Sequence, residues 1–367
     1  MNQDKVARVI RAAIREQAAY HVAPSDGLTK LDAMENPYRL PTEWTDRWLA
    51  MLRELELNRY PDADAGELRA AMKGFLGVPD GMELMLGNGS DELIQLLCQA
   101  VIDSPLCGNR RPVVMSTEPG FVMYRFLAKA CGLEYMGVPL RDKGYALDAE
   151  AMLEAIEWHK PALIFLAYPN NPTGNLFKEI EMEKIIAASP GLVVIDEAYH
   201  PFAEASFMDR LASFDNLLVM RTVSKLGLAG IRLGALAGSE TWLRELNKLR
   251  LPYNINVLTQ ATAKLACECP DLFAEQAKRI REERQRLYAE MEILGGIKPF
   301  PSRANFILFK TPAGLAANIF EFLKVNGVLI KNLSTAGGML NDCLRVTVGT
   351  RQENDFFLSI LKNFKDA

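Results

Sequence analysis

Cysteine and histidine are scarce in this 367-residue chain. Six cysteines stand at 98, 107, 131, 267, 269 and 343, and only Cys267 and Cys269 are near neighbours. With no CxxC pair, neither a disulfide framework nor a thiolate zinc site is expected, and a reducing, cytoplasmic compartment fits. The three histidines, His21, His159 and His200, are scattered and lack the HExxH spacing of a helical metal site. Positive charge is not in excess: 42 Lys and Arg against 46 Asp and Glu leave a net charge of −4. A dedicated nucleic-acid binder would carry a basic surface, so that class is not expected. Long apolar runs are missing as well. The densest, residues 162–167, is far too short to cross a bilayer. The opening segment MNQDKVARVIRAAIREQ is charged throughout and has no apolar h-region, so no signal peptide is expected.

What is present is an ordinary globular composition, 49% hydrophobic and 24% charged. At roughly 100–200 residues per domain, the length allows about two or three domains. Residues 4–19 place Val6, Val9, Ile10, Ala13 and Ile14 on one face of an expected helix. Residues 42–57 read as a second, short helix. In the loop NRYPDADAGELR, Asp64 is the expected N-cap, with Glu67 at the capping-box spacing. Between 84 and 240, short β-rich runs alternate with helical periods: PVVMST, LEYMGVPL, ALIFLAY, LVVIDEAY, LLVMRTVSK and LGALAG. That alternation predicts βα units around a largely parallel sheet. A long charged helix is expected over 270–294, followed by short strands and helices to the end. The pattern implies a large α/β domain over 58–258. A smaller α/β domain is built from both chain ends, an N-terminal arm and part of the small domain over 1–57 and a C-terminal part over 259–367.

Three features fall on consecutive βα units. ALIFLAYPNNPTG is an apolar strand breaking into an Asn- and Pro-rich turn, LVVIDEAY ends in a carboxylate, and LLVMRTVSKLGLAGIRLG leads into Ser224 and Lys225. Asn171, Asp196 and Lys225 are thus spaced by about one repeat each and lie near carboxyl ends of strands, where open α/β sheets bind ligands. A lysine beside an apolar crevice can lose its proton and form a Schiff base with a carbonyl. A carboxylate emerging from LVVID is expected to be buried and to need a cationic partner. Pyridoxal phosphate meets both demands, its aldehyde taking the lysine and its protonated ring nitrogen pairing with Asp196. Asn171 can hydrogen-bond its phenolate oxygen. LGNGSDELIQLL runs from a Gly-rich turn straight into a helix, whose first N–H groups, at Ser90 and Asp91, can cradle a phosphate. Thr222, Ser224 and Arg232 flank the lysine and add donors. Taken singly, each motif is as readily an ordinary turn or cap; their order and spacing together carry the reading.

The chain resembles the fold-type I pyridoxal-phosphate-dependent aminotransferases of class I/II, on YPNNPTG, DEAY and SK with AGIRLG. Within them it is most similar to the histidinol-phosphate aminotransferases, on LDAMENPYRLP, NRYPDADAGELR, GNGSDELI, EPGFVMYR and CLRVTVGTRQEN. The resemblance implies a large domain with a mostly parallel seven-stranded sheet and a smaller α/β domain. It implies Lys225 as the covalent cofactor lysine, Asp196 at the pyridine nitrogen, Asn171 and Tyr199 at the phenolate oxygen, and Phe121 stacked on the ring. Ser90, Asp91, Thr222, Ser224 and Arg232 would hold the phosphate. Tyr60 would reach the cofactor of a second subunit, making a homodimer. Arg345 would bind the anionic group of L-histidinol phosphate or of glutamate and 2-oxoglutarate, assisted by Tyr20, Lys331 and Asn171. Two positions depart from the family pattern: Met34 stands where many members have Asn, and Lys331 where many have Arg, which loses the bidentate fork. An aromatic or broad-range aminotransferase and an amino-phosphate decarboxylase share the cofactor residues and remain alternatives. A non-enzymatic cofactor-binding regulator is disfavoured by the lack of a spare DNA-binding domain.

Overall fold

The β-rich runs between 84 and 240 form one seven-stranded sheet. The computed structural model describes residues 3–19 and 23–364. Thirteen strands follow in chain order: β1 (Thr29–Lys30), β2 (Glu83–Gly87), β3 (Val113–Glu118), β4 (Glu134–Pro139), β5 (Leu163–Ala167), β6 (Leu192–Asp196), β7 (Leu217–Thr222), β8 (Gly234–Gly238), β9 (Lys298–Pro299), β10 (Phe306–Lys310), β11 (Val328–Leu329), β12 (Lys331–Asn332) and β13 (Cys343–Thr347). The large sheet has the order β2-β8-β7-β6-β5-β3-β4, and only the pairings of β8 with β2 and β7 are antiparallel. β2, with the five-residue run ELMLG, is the one strand of the seven that is not among the β-rich runs read from the sequence.

Strands β5, β6 and β7 are buried at every position, as parallel strands covered on both faces must be. Alternate residues feed two separate cores. Ile164, Leu166, Val193, Ile195 and Val219 pack on one face, while Leu163, Phe165, Val194, Leu218 and Met220 pack on the other. The chain order switches direction between β3 and β5, since β4 lies to one side and β6 to the other. A crevice opens outside the carboxyl ends of strands at such a switch point.

The chain ends meet in a smaller unit. β1 pairs in parallel with β11, and β12-β13-β10-β9 form an antiparallel sheet. The long charged helix runs Pro270–Ile293 and lays Ala277, Ile280, Leu287 and Met291 on this sheet's core. Its outer face carries the i,i+4 ion pair Arg279–Glu275, while Arg286–Glu290 lies against helix Arg351–Lys362, where Arg286 also pairs with Asp355. Arg284 of the same run turns inward, buried, and donates to the carbonyls of Phe202 and Ala304. Helix Thr42–Arg53 packs against helix Val257–Cys267, with the Trp48 indole donating to Thr262 at 2.8 Å, and Trp44 joins the core of the large sheet.

Two local expectations fail. Residues 4–19 are not one helix but two short ones, Gln3–Val9 and Ala12–Arg15. Val6, Val9, Ile10 and Ile14 are all exposed, so the apolar face buries nothing that would sustain a continuous helix. Asp64 does not cap the next helix. That helix starts at Gly66 after Ala65 in the left-handed region, and the Asp62 carboxylate accepts from the N–H groups of Gly66 and Asp64. Asp64 pairs with Arg250 instead, and Glu67 with Lys264. Among the described residues, no helix is long and apolar enough to cross a membrane, and no group of three His, Cys, Asp or Glu side chains could hold a metal.

Candidate active site

Helix Ser90–Ala100 begins where β2 ends, and its buried stripe of Leu93, Ile94 and Leu97 pins it to the sheet. Its amino terminus is open because of two glycines. Gly89 has φ +79°, and a Cβ there would stand 2.6 Å from the Arg232 guanidinium. A Cβ on Gly234 of β8 would stand 2.7 Å from the backbone nitrogen of Ser90. These close approaches leave the first N–H groups of the helix facing Arg232, Thr222 and Ser224, an arrangement suited to an anion. Within it, Thr222 donates to Ser224 at 2.9 Å, and Arg232 reaches the Asp91 carboxylate at 3.2 Å.

This cradle is one end of a cavity of about 110 Å³ at the carboxyl ends of the strands. Ten of the expected residues line it: Ser90, Asp91, Phe121, Asn171, Asp196, Tyr199, Thr222, Ser224, Lys225 and Arg232. Larger surface grooves exist beside β2 and beside Lys143, Lys298 and Lys310, but neither brings a nucleophile and a buried acid together. Met34 and Ala198 also line the cavity.

Asp196 ends β6 and is 5% exposed. Its Oδ2 accepts from the Tyr124 hydroxyl at 2.6 Å and its Oδ1 from the Ala198 N–H at 3.0 Å. Both donors are neutral, and among the described residues no cation meets this carboxylate. The cationic partner expected from the strand pattern is therefore not supplied by the chain's own described residues. Burial pushes the carboxyl up to about 6, against the opposing pull of the Tyr124 bond. Lys225 follows Ser224 in a single 3₁₀ turn, and its Nζ donates to the Ala33 carbonyl at 3.2 Å. Burial of its charged end lowers the amine to about 8, with repulsion from Arg345 adding to the effect. Asn171 stands in the turn after β5, donating through Nδ2 to the Tyr199 hydroxyl at 3.0 Å and accepting at Oδ1 from Arg345 at 2.6 Å. The Tyr199 hydroxyl also donates to the Met34 sulfur at 3.5 Å.

Arg345 comes from β13 of the smaller sheet. It is buried, donates to the Asp32 carbonyl at 3.2 Å, and lies over the Phe306 ring at 5.0 Å. Lys331 is its cross-strand neighbour on β12. Tyr60 is not brought to the cavity. It is 80% exposed and stacked on Tyr253 at 4.5 Å. Tyr20 and His21 lie outside the described residues. Tyr124 is the group that motif reading missed. Its signal was present, since it follows Phe121 by three residues in EPGFVMYR, one helical turn along the same face.

A pyridoxal group fits these residues. The cradle offers backbone N–H groups, hydroxyls and a guanidinium for a phosphate, and Asp196 is a buried acid whose partners are neutral and which a cationic ring nitrogen would satisfy.

Comparison with known proteins agrees with the geometry. The family model described as aminotransferase class I and II matches residues 26–361. Histidinol-phosphate aminotransferase 2 of Nitrosococcus oceani is 53% identical over 362 residues, covering 99% of each chain. Histidinol-phosphate aminotransferase 2 of Cupriavidus pinatubonensis is 52% identical over 360 residues, covering 96% of this chain and 95% of that one. Among solved structures, the histidinol-phosphate aminotransferase of Sinorhizobium meliloti in complex with pyridoxal-5'-phosphate superposes with a TM-score of 0.84 at 23% identity, over 96% of each chain. The chain belongs to the class I and II aminotransferases.

Proposed function

We propose that the protein transfers an amino group between L-histidinol phosphate and 2-oxoglutarate, giving imidazole-acetol phosphate and glutamate, with pyridoxal 5'-phosphate as cofactor. This is a step in the biosynthesis of L-histidine. One observation carries the reading: a buried acid with only neutral donors, Asp196, and a lysine of lowered basicity, Lys225, line one small cavity that ends in an anion cradle. The relatives at 53% and 52% identity support the substrate.

When bound, the cofactor supplies a carbonyl that takes up the amine nitrogen and a cationic ring that withdraws electrons from the breaking bond. Ser90, Thr222, Ser224 and Arg232 would hold its phosphate, with Asp91 contributing its backbone N–H. Asp196 would hold the ring N–H, Asn171 and Tyr199 the phenolate oxygen, and Phe121 the ring face. Lys225, lowered to about 8, is partly neutral near pH 7–8. It can attack a carbonyl carbon, and once displaced it can carry a proton from the substrate Cα. Arg345 would receive the substrate's anionic group, with Lys331 and Tyr20 beside it. Residues 58–258 would thus hold the cofactor, while 1–57 and 259–367 would supply the substrate end. Tyr60, exposed on its own chain, would serve the site of a second copy, so the working unit is a homodimer in the cytoplasm.

The test is a steady-state assay of the purified protein with L-histidinol phosphate and 2-oxoglutarate, run beside phenylalanine. Turnover with histidinol phosphate well above that with phenylalanine is expected. The reverse order would reassign the protein to the aromatic aminotransferases, and release of carbon dioxide from an amino-acid phosphate would make it a decarboxylase.

A further inference from the structure

We infer that Tyr124 is a positioning residue that orients both groups meant to meet the cofactor ring, Asp196 through a hydrogen bond and Phe121 through an edge contact. This rests on the proposed function. Tyr124 is 1% exposed, and its hydroxyl donates to Asp196 Oδ2 at 2.6 Å. Its ring lies flat on Phe165 of β5, with centroids 4.6 Å apart and planes 3° from parallel. Phe121 stands edge-on to it at 5.5 Å and 87°. The flat stack fixes the plane of the buried phenol, which directs its hydroxyl onto Asp196 and favours one carboxylate rotamer. The same ring fixes the approach of Phe121. Three neighbouring strands of the sheet are thereby tied together: β3 leads to Phe121 and Tyr124, β5 supplies Phe165 from its middle, and β6 supplies Asp196 from its end.

The bond also decides where a shared proton resides. A buried carboxylate and a pyridine nitrogen compete for one proton, and the electron sink needs it on the nitrogen. Two groups facing Asp196 favour its charge, the Tyr124 hydroxyl and the Ala198 N–H, while Asp91 and Glu197 oppose it. Burial and the neighbouring Asp196 charge raise Tyr124 well above the usual phenol value, so it stays protonated and remains a donor. A donor on Oδ2 makes the carboxylate a weaker base and leaves the proton on the ring.

Tyr124→Phe removes one oxygen and keeps both ring contacts. We expect the dissociation constant for pyridoxal 5'-phosphate to rise about tenfold and kcat to fall about tenfold, the scale of one hydrogen bond to a charged group, with KM for the amino donor unchanged. With pyridine-¹⁵N-labelled cofactor, the nitrogen resonance should move toward the unprotonated position. Placing 3-fluorotyrosine at position 124, a more acidic phenol and stronger donor, should move it the opposite way in a chain of wild-type shape. Wild-type protein that loads cofactor while both variants leave its affinity and the nitrogen resonance unmoved would overturn this inference alone. Wild-type protein that takes up no pyridoxal 5'-phosphate would overturn the proposed function and this inference with it.

Discussion

Asp196 and Glu197 are adjacent in sequence at the end of β6, yet the two faces of the sheet treat them in opposite ways. On the reverse face, Arg221 of β7 grips Glu197 Oε2 with Nε at 2.9 Å and Nη2 at 2.8 Å. Ser206 donates to the same carboxylate at 3.0 Å, and Arg221 spends its Nη1 on the Leu76 carbonyl at 2.6 Å. That charge is matched inside the chain. On the cavity face, Asp196 receives a phenol and one backbone N–H, both neutral. A buried charge matched internally is structure, and a buried charge left with neutral donors is a place for a ligand cation. Burial raises both carboxyls, but at Glu197 the Arg221 charge opposes the rise, a compensation that no described residue gives Asp196.

The contrast breaks most visibly at the cavity face. Lys225→Ala should lower turnover by about 10³-fold or more, because in the proposed reaction one side chain would be both nucleophile and proton carrier. Loss of the visible absorbance of bound cofactor, followed by spectrophotometry, should accompany it.

Asp196→Asn should cost about 10²–10³-fold in kcat by removing the charge proposed to hold the ring nitrogen. The same variant should be more stable than wild type in the cofactor-free state at alkaline pH. The Asp196 carboxyl stands at about 6 in the fold against 3.8 for the free side chain, so the folded chain holds this proton more tightly than the unfolded chain. Its stabilising contribution is full below about pH 4 and is lost as the pH rises through about 6, on the order of 3 kcal/mol in all. Paired melting curves of the two cofactor-free proteins should separate above pH 6 and converge toward pH 4.

On the reverse face the pattern should invert. Glu197→Gln leaves Arg221 buried and uncompensated, and should destabilise the fold by about 3 kcal/mol. Chemical denaturation would measure that loss, while KM for the amino donor should hold within about twofold, the size of a small positional shift. A large change in substrate KM with unchanged stability would contradict the division between the faces.

The smallest effect is expected at Met34, a non-glycine residue at φ +55°. Asn adopts the left-handed region more readily than a long side chain, so Met34→Asn should raise stability by about 0.5–1 kcal/mol. It also exchanges the thioether that accepts from Tyr199 for an amide, and kcat/KM should change only about two- to fivefold, the scale of one weak hydrogen bond. Thermal unfolding together with initial rates would read both.

The same two faces show what could be read without coordinates. Asn171, Asp196 and Lys225 were legible because strand burial and βα spacing are local properties. An apolar run followed by a polar residue places that residue at a strand end whatever surrounds it. Ser90 and Asp91 were legible from the glycine turn before their helix. Tyr124 on Asp196 joins residues 72 apart, and Arg345 on Asn171 joins residues 174 apart, so no spacing rule reaches either contact. The Asp62 carboxylate at the start of helix Gly66–Phe75 was missed for a smaller reason. Two carboxylates two residues apart are equally able to cap, and the left-handed turn at Ala65 chose between them.

By itself, then, the order of residues determined the βα succession, the strand ends that line the cavity, and the glycine turn before helix Ser90–Ala100, because each follows from periodicity and local backbone preference. Tertiary structure alone decided that Glu197 would be neutralised and Asp196 left with neutral donors. It alone brought Met34 from one chain end into the cavity lining, and Arg345 from the other onto Asn171 of that lining. The physical reason is that charge compensation and donor geometry depend on which strands become neighbours, and that adjacency emerges only when both cores close on the sheet.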